Sequence, residues 1–257
     1  MNYIGIDIGS TCAKTVVLNE KKEIIQECVQ PTGWSSIDTA EEILQKLKLA
    51  GIGLSDNSSC CVATGYGRIS VPYADKTVTE ITCHALGAVH LFQQSDLTVI
   101  DIGGQDTKII QIEQGFVKDF IMNDKCAAGT GRFLEVMANT LSLRPNEMFE
   151  LARLGSDTTI SSMCTVFAES EVIGLIGKGE PKENIAYAVV DSTIRKVAAQ
   201  VSRMNGEMST FCLTGGLCEC EYIREALSKK LGKEVISSPD ARYAGAIGAA
   251  LSAMKIR

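Results

Sequence analysis

The sequence lacks any stretch able to cross a bilayer: its longest nearly uncharged run, Tyr243 to Met254, falls short of the ~20 residues a spanning helix needs. A basic block is also missing. Lys and Arg number 25 against 31 Asp and Glu, a formal net charge of −6, which argues against a nucleic-acid surface. Met1-Asn2-Tyr3-Ile4-Gly5-Ile6-Asp7 has no basic residue ahead of its apolar run and places an acid inside it, so it reads as a strand rather than a signal peptide. Histidine is scarce. His84 and His90 are expected to pack or to face solvent, neither with a ligand-like neighbour at close spacing. No Gly-x-x-x-x-Gly-Lys-Ser/Thr occurs, so the helix-start phosphate loop is absent, and Gly177-Lys178-Gly179 reads as a helix stop.

What remains is an ordinary globular composition with one surplus. The 257 residues exceed a typical domain of ~150, so two lobes are expected, residues 1–95 and 96–257, the final helix packing back on the first. Hydrophobic residues make up 45% and charged residues 22%, which argues against disorder and fibres. The surplus is ten cysteines. A disulfide scaffold would be shorter and rich in loops, so the thiols point to a reducing cytoplasm, as small core residues, metal ligands or redox groups.

Hydrophobic patterning predicts an α/β chain. Strands are expected at Tyr3–Ile8, Lys14–Leu18 and Glu23–Gln30, then a helix from Asp38, its cap, to Ala50 with Gly51 as its stop. A strand at Ser59–Thr64 and a helix opening at Thr79 complete the first unit. The order then begins again with strands Leu97–Ile102, Thr107–Glu113 and Phe116–Met122. A long helix near Glu183–Asn205, a strand Thr210–Thr214, a helix Tyr222–Leu231, a strand Glu234–Ser237 and a final helix Arg242–Met254 follow. This is βββαβα twice, with extra helices in the second half.

The repeat is also visible in the residues. Asp7-Ile8-Gly9 recurs as Asp101-Ile102-Gly103, and seven residues after each Asp stands a lysine, Lys14 and Lys108. Glycine at a strand-to-strand turn lets backbone N–H groups approach an anion closely. In the first turn Gly9, Ser10, Thr11, Cys12 and Ala13 can cradle a phosphate, with Lys14 adding charge; in the second, Gly103, Gly104 and Gln105 can do the same from the other lobe. Asp7 and Asp101, at strand ends, suit a hydrated Mg²⁺. Gly215-Gly216 offers backbone against which adenosine can lie flat.

Two cysteines stand apart. Asn123-Asp124 precedes Cys126, and Ser161-Ser162 precedes Cys164, as helix caps would, and a thiol at a helix N-terminus has a lowered pKa. From the residues alone they are equally a redox pair or two buried thiols. Cys12, Cys28, Cys60, Cys61, Cys83 and Cys212 read as small hydrophobes. Cys218-Glu219-Cys220 is a rival ligand pair, short in spacing for one metal and close to the expected nucleotide contacts.

Asp7-Ile8-Gly9-Ser10-Thr11, Asp101-Ile102-Gly103-Gly104-Gln105 and Thr214-Gly215-Gly216 resemble the phosphate-1, phosphate-2 and adenosine segments of the actin, sugar-kinase and Hsp70 ATPase superfamily. Ala63-Thr64-Gly65-Tyr66-Gly67-Arg68, the segment from Asn123 to Phe133, and Cys164-Thr165-Val166-Phe167-Ala168-Glu169-Ser170-Glu171 resemble the activator ATPases of (R)-2-hydroxyacyl-CoA dehydratases, relatives of benzoyl-CoA reductase ATPase subunits. The resemblance implies a duplicated actin-like, ribonuclease H-like fold with ATP or ADP and Mg²⁺ in the cleft between two lobes. It implies that Cys126 and Cys164 ligate one [4Fe–4S] cluster per homodimer. A cubane cluster takes four thiolates, so a twofold axis would supply the other two.

The function so implied is an ATP-hydrolysing electron donor. Ferredoxin or flavodoxin would reduce it, and it would pass a low-potential electron to a separate dehydratase in anaerobic metabolism. Coupling has an energetic reason: 30 mV of a two-electron couple is ~1.4 kcal/mol, so raising an electron by several hundred millivolts takes about one or two phosphoanhydride bonds. Asp7 and Asp101 would place the metal, and Gln105, by position, the attacking water. Two other readings compete: a small-molecule kinase of the same superfamily, and a nucleotide-switched regulatory ATPase without electron transfer. No nucleic-acid or membrane partner is expected.

Overall fold

Short apolar runs punctuated by glycine and polar turns form β1 (Asn2–Ile8), β2 (Cys12–Leu18) and β3 (Ile24–Pro31), joined as antiparallel neighbours. The structure, a computed structural model, describes residues 1–54, 58–161, 164–204 and 210–256. α1 (Ser36–Leu49) crosses to β4 (Ser59–Thr64), which pairs in parallel with β1 and sets Asp7 opposite Thr64. After a 3-10 turn at Tyr66–Ser70 comes β5 (Lys76–Thr77), a two-residue strand too short for a periodicity signal, and α2 (Glu80–Phe92) with Thr79 as its N-cap. α1 differs from expectation at its start. Its N-cap is Ser35, whose side chain accepts from the Asp38 amide, so Asp38 lies inside the first turn, where its charge favours the positive helix end.

The second half repeats the order with β6 (Leu97–Ile102), β7 (Thr107–Glu113) and β8 (Phe116–Asn123). Four helices follow: α3 (Gly131–Thr140), α4 (Pro145–Ala152), α5 (Thr165–Gly177) and α6 (Lys182–Val201). α6 is the long helix expected near Glu183–Asn205; Asn205 lies outside the described residues. Then come β9 (Thr210–Gly215), α7 (Glu221–Leu231), β10 (Val235–Ile236) and α8 (Ala244–Ala253). α8 begins two residues later than expected because Pro239–Tyr243 forms a separate 3-10 turn. The first sheet runs β3-β2-β1-β4-β5 and the second β8-β7-β6-β9-β10. The two strand orders are the same, which is the duplication expressed in topology.

Contacts divide the chain into one unit of Met1–Leu97, Ile110–Lys118 and Asp240–Arg257, and another of Thr98–Ile109 and Asp119–Pro239. In the first unit the central strands β1 and β4 are buried on both faces. Ile4, Ile6, Ile8, Cys61 and Ala63 pack with Ala40, Ile43 and Leu47 of α1, while Cys60 and Val62 face Cys83 of α2 and Ala249 and Ala253 of α8. The strand period of two thus sends Cys60 and Cys61 into opposite layers, each as a small apolar residue. Each fully buried Ile or Leu contributes about 1.5–3 kcal/mol. α8 rests directly on the β1 backbone: a Cβ at Gly5 would lie 1.9 Å from the Ala246 carbonyl oxygen, so only glycine allows this approach. Among the described residues no helix is long and apolar enough to cross a membrane.

Candidate nucleotide hairpins and thiol pair

β1 and β2 meet in a tight hairpin closed by the Gly9 amide donating to the Cys12 carbonyl at 3.1 Å. β6 and β7 meet in the same way, the Gly103 amide donating to the Asp106 carbonyl at 2.9 Å. Ser10 and Thr11 form the tip of one hairpin, Gly104 and Gln105 that of the other, and Thr11 and Gln105 are exposed. Lys14 lies on β2 opposite Asp7 and is partly exposed. Asp7 and Asp101 are both buried at the carboxyl ends of their strands, where open α/β sheets present their ligand sites.

The likeness of the halves goes further than the hairpins. Gly65 follows β4 at φ +83°, and Gly215 closes β9 at φ +87°. A Cβ at Gly65 would stand 2.4 Å from the Ile8 carbonyl oxygen and 2.6 Å from Asp7 Oδ1; at Gly215 it would stand 2.5 Å from the Ile102 oxygen and 2.9 Å from Asp101 Oδ1. Each half therefore lays a Thr-Gly turn over the carboxylate of its own Asp-Ile-Gly strand. The sequence carries this signal twice, as Thr64-Gly65 and Thr214-Gly215, each at the end of an apolar strand, although only the second stands in an expected nucleotide segment. Gly216, exposed beyond it, donates its amide to the Ile102 carbonyl at 3.2 Å, which pins this Gly-Gly turn to the end of β6.

The two aspartates differ in their surroundings. Asp7 Oδ1 is buried without a hydrogen-bond partner, and Oδ2 lies 4.0 Å from His84 Nε2. His84 is buried and also 3.7 Å from Glu80 Oε1, one helical turn earlier, so it is neither a surface residue nor plain packing. The Glu80–His84 spacing was the available signal. Asp101 Oδ1 accepts from Thr214 Oγ1 at 2.8 Å, and Oδ2 lies 3.4 Å from Lys108 Nζ. Lys108 is fully buried and makes its shorter contact, 2.7 Å, to Asp106 Oδ2. Neither Lys108 nor Asp106 could be recognised as buried from the sequence, since charges are rarely buried unless paired.

The second hairpin is held by the start of α3. Gly131 and Arg132 donate their amides to the carbonyls of Gly103 and Gly104 at 2.9 and 2.8 Å, using N–H groups that have no partner inside the helix. This overturns the expected helix start at Cys126: α3 begins at Gly131 with Thr130 as N-cap, and Cys126 sits in the preceding loop. Asn123 does not cap a helix. Its side-chain amide donates to the Cys126 and Ala128 carbonyls at 2.8 and 3.2 Å, shaping that loop, while Thr107 Oγ1 donates to the Gly129 carbonyl at 2.7 Å. Cys126 is partly exposed and Cys164 exposed. Cys164 is itself the N-cap of α5, without a side-chain cap bond, and Ser161 bonds the Glu171 carboxylate. Ser162, expected in that cap, lies outside the described residues.

Burial pushes the Cys83 thiol up to about 12 and drives Cys61 and Cys212 upward as well. Cys218 is buried, and burial also raises Cys220, the N-cap of α7. No disulfide joins any cysteines among the described residues.

Two sheets of one strand order, each ending in an Asp-Gly hairpin under a Thr-Gly turn, define a duplicated actin-like ATPase fold. The chain belongs to the BadF/BadG/BcrA/BcrD ATPase family, whose model matches residues 4–253. It is 43% identical over 254 residues to the (R)-2-hydroxyglutaryl-CoA dehydratase activating ATPase of Acidaminococcus fermentans, covering 98% of this chain and 96% of that one. The crystal structure of (R)-2-hydroxyglutaryl-CoA dehydratase component A from the same organism superposes with a TM-score of 0.91 at 42% identity, covering 100% of this chain and 98% of that one. The activator of 2-hydroxyisocaproyl-CoA dehydratase from Clostridium difficile, solved with bound ADPNP, gives 0.89 at 35%, covering 100% and 95%. A ROK family glucokinase from Streptomyces griseus, at 16% identity and a TM-score of 0.65 over 99% of this chain and 100% of that one, shares the fold alone.

Proposed function

We propose that this protein is an ATP-hydrolysing electron donor that activates a 2-hydroxyacyl-CoA dehydratase. The observation that carries the reading is a covalently short route. The loop holding Cys126 leads directly into α3, whose first two amides grip the carbonyls of the second hairpin, and Thr107 of that hairpin's strand bonds the same loop. A hairpin that changes with its nucleotide therefore pulls on the thiol loop. The names borne by the relatives favour this activity over a small-molecule kinase or a purely regulatory ATPase.

In this reading the backbone amides of residues 10–13 and of Gly104 and Gln105 hold phosphate oxygens, and Lys14 adds positive charge. Gly215 and Gly216 form the backbone floor for adenosine. The unmatched Asp7 Oδ1 suits the hydrated shell of a cation, since a buried carboxylate oxygen without a donor is costly unless an ion or water meets it. Mg²⁺ there would screen the phosphate charge. Asp101 assists from the second hairpin, and exposed Gln105 orients the attacking water.

Cys126 and Cys164 fit as the ligand pair because Cys164 is exposed and Cys126 partly exposed in a loop, whereas Cys12 and Cys28 lie in strands and burial raises Cys220, and soft thiolates are the donors iron–sulfur clusters take. A [4Fe–4S] cluster would supply one-electron transfer. Two thiolates per chain require a second copy. α5, which starts at Cys164, supports one: Val166, Phe167 and Ile173 are exposed along a helical stripe with Ser170 and Gly174, an apolar face that a twofold partner would cover. Ferredoxin or flavodoxin is the proposed electron source, a dehydratase or a related reductase the acceptor, and the cytoplasm the compartment, as ten cysteines without a disulfide suggest.

Iron analysis of anaerobically purified protein, combined with an ATPase assay, tests the reading. About four irons per two chains together with ATP turnover are expected. ATP turnover by iron-free protein from strictly anaerobic cells would leave a regulatory ATPase instead.

A further inference from the structure

Lys108 bonds two carboxylates, and its shorter contact goes to the one that the nucleotide reading does not use. We propose that Asp106 is a positioning residue for Asp101: by sharing the Lys108 ammonium it leaves two carboxylates facing one cation, so that Asp101 is only partly neutralised and can still attract a divalent cation. The inference rests on the reading that Asp101 helps to hold the metal.

The distances separate the two contacts. Lys108 Nζ lies 2.7 Å from Asp106 Oδ2, the length of a charge-assisted hydrogen bond, and 3.4 Å from Asp101 Oδ2, a longer and weaker ion pair. All three side chains are buried, so the ammonium must find a carboxylate inside the protein. The hairpin makes Asp106 the nearer choice. The Gly103 amide donates to the Asp106 carbonyl, and a Cβ at Gly103 would sit 2.3 Å from Asp106 Oδ1, so glycine leaves the space into which that carboxylate folds. Thr214 Oγ1 meanwhile fixes the rotation of Asp101 through Oδ1.

The first half supplies an internal comparison. Three residues after Gly9, where Gly103 has Asp106, stands Cys12, and Lys14 there is only partly buried and makes no ion pair among the described residues. A carboxylate decoy accompanies the hairpin lysine only where that lysine is buried against the strand-end aspartate.

The test is ADP binding by calorimetry to the anaerobic full-length protein, over a range of Mg²⁺ and in excess chelator. Asp106→Asn should raise the Mg²⁺ needed for half-maximal enhancement about tenfold, with metal-free ADP affinity unchanged, because Asp101 then has the Lys108 ammonium to itself; tenfold corresponds to about 1.4 kcal/mol. Asp101→Asn should remove the Mg²⁺ enhancement. Gly103→Ala, which displaces the Asp106 carboxylate without changing charge, should shift the Mg²⁺ requirement in the same direction and decides the matter if Asp106→Asn does not fold. A parental Mg²⁺ requirement in Asp101→Asn would overturn the metal reading beneath the inference. Loss of enhancement there, with parental requirements in the folded Asp106 and Gly103 variants, would overturn the role of Asp106 alone.

Discussion

Cys126→Ala and Cys164→Ala will each yield folded protein without iron. Removing one ligand per chain leaves two thiolates for a cluster that takes four, so partial occupancy is not expected. Neither change should harm the fold. The Cys164 side chain makes no cap bond to α5 and is exposed, and the Cys126 loop is shaped through its carbonyl by Asn123, a contact alanine retains. Iron and the brown absorption should vanish while circular dichroism and ADP binding persist. Cys218→Ala and Cys220→Ala should keep their iron, because the first lies in the core and burial disfavours the thiolate of the second. Iron lost only from this latter pair would move the site to the turn between β9 and α7.

The second large effect concerns hydrolysis. Asp7→Asn and Asp101→Asn should each lower kcat by about 100-fold or more, since a metal ion contributes several kcal/mol to charge stabilisation and each ~1.4 kcal/mol is tenfold. The amide is close to isosteric. At Asp101 its oxygen can still accept from Thr214, and Lys108 keeps Asp106, so melting temperatures should stay near the parent's. At Asp7 no hydrogen bond of Oδ1 is lost, because it has none. Parental turnover in both variants would remove the strand-end aspartates from the chemistry.

Much of the fold could be read from the chain because its punctuation is local. Gly9 and Gly103 mark hairpins, Gly51 and Gly179 end helices, and the apolar runs between them have strand length. The equality of the two sheets followed from the repeated Asp-Ile-Gly. What escaped reading depends on contacts between distant segments. Asn123-Asp124 suits a loop as well as a helix cap, and the choice was made by α3, whose amides bond Gly103 and Gly104 some thirty residues earlier in sequence. The buried Lys108–Asp106 pair and the Asp7–His84 approach belong to the same class. A charged residue in a sequence gives no sign of its depth, and His84 gained its setting from α2 packing against α8, whose Gly245 adjoins both Asp7 and His84.

The central claim is that nucleotide and electron act on one equilibrium. If ATP favours one state of the protein, linkage requires that cluster oxidation or partner docking change nucleotide affinity by the same factor. The direct measurement is ATP-analogue affinity of the anaerobic protein, oxidised and reduced, with and without its dehydratase. The account predicts a shift of about fivefold or more on docking, equal to the factor by which the analogue tightens the complex, and electron transfer that stops without ATP. Equal affinities in every state, with electron transfer indifferent to ATP, would contradict it.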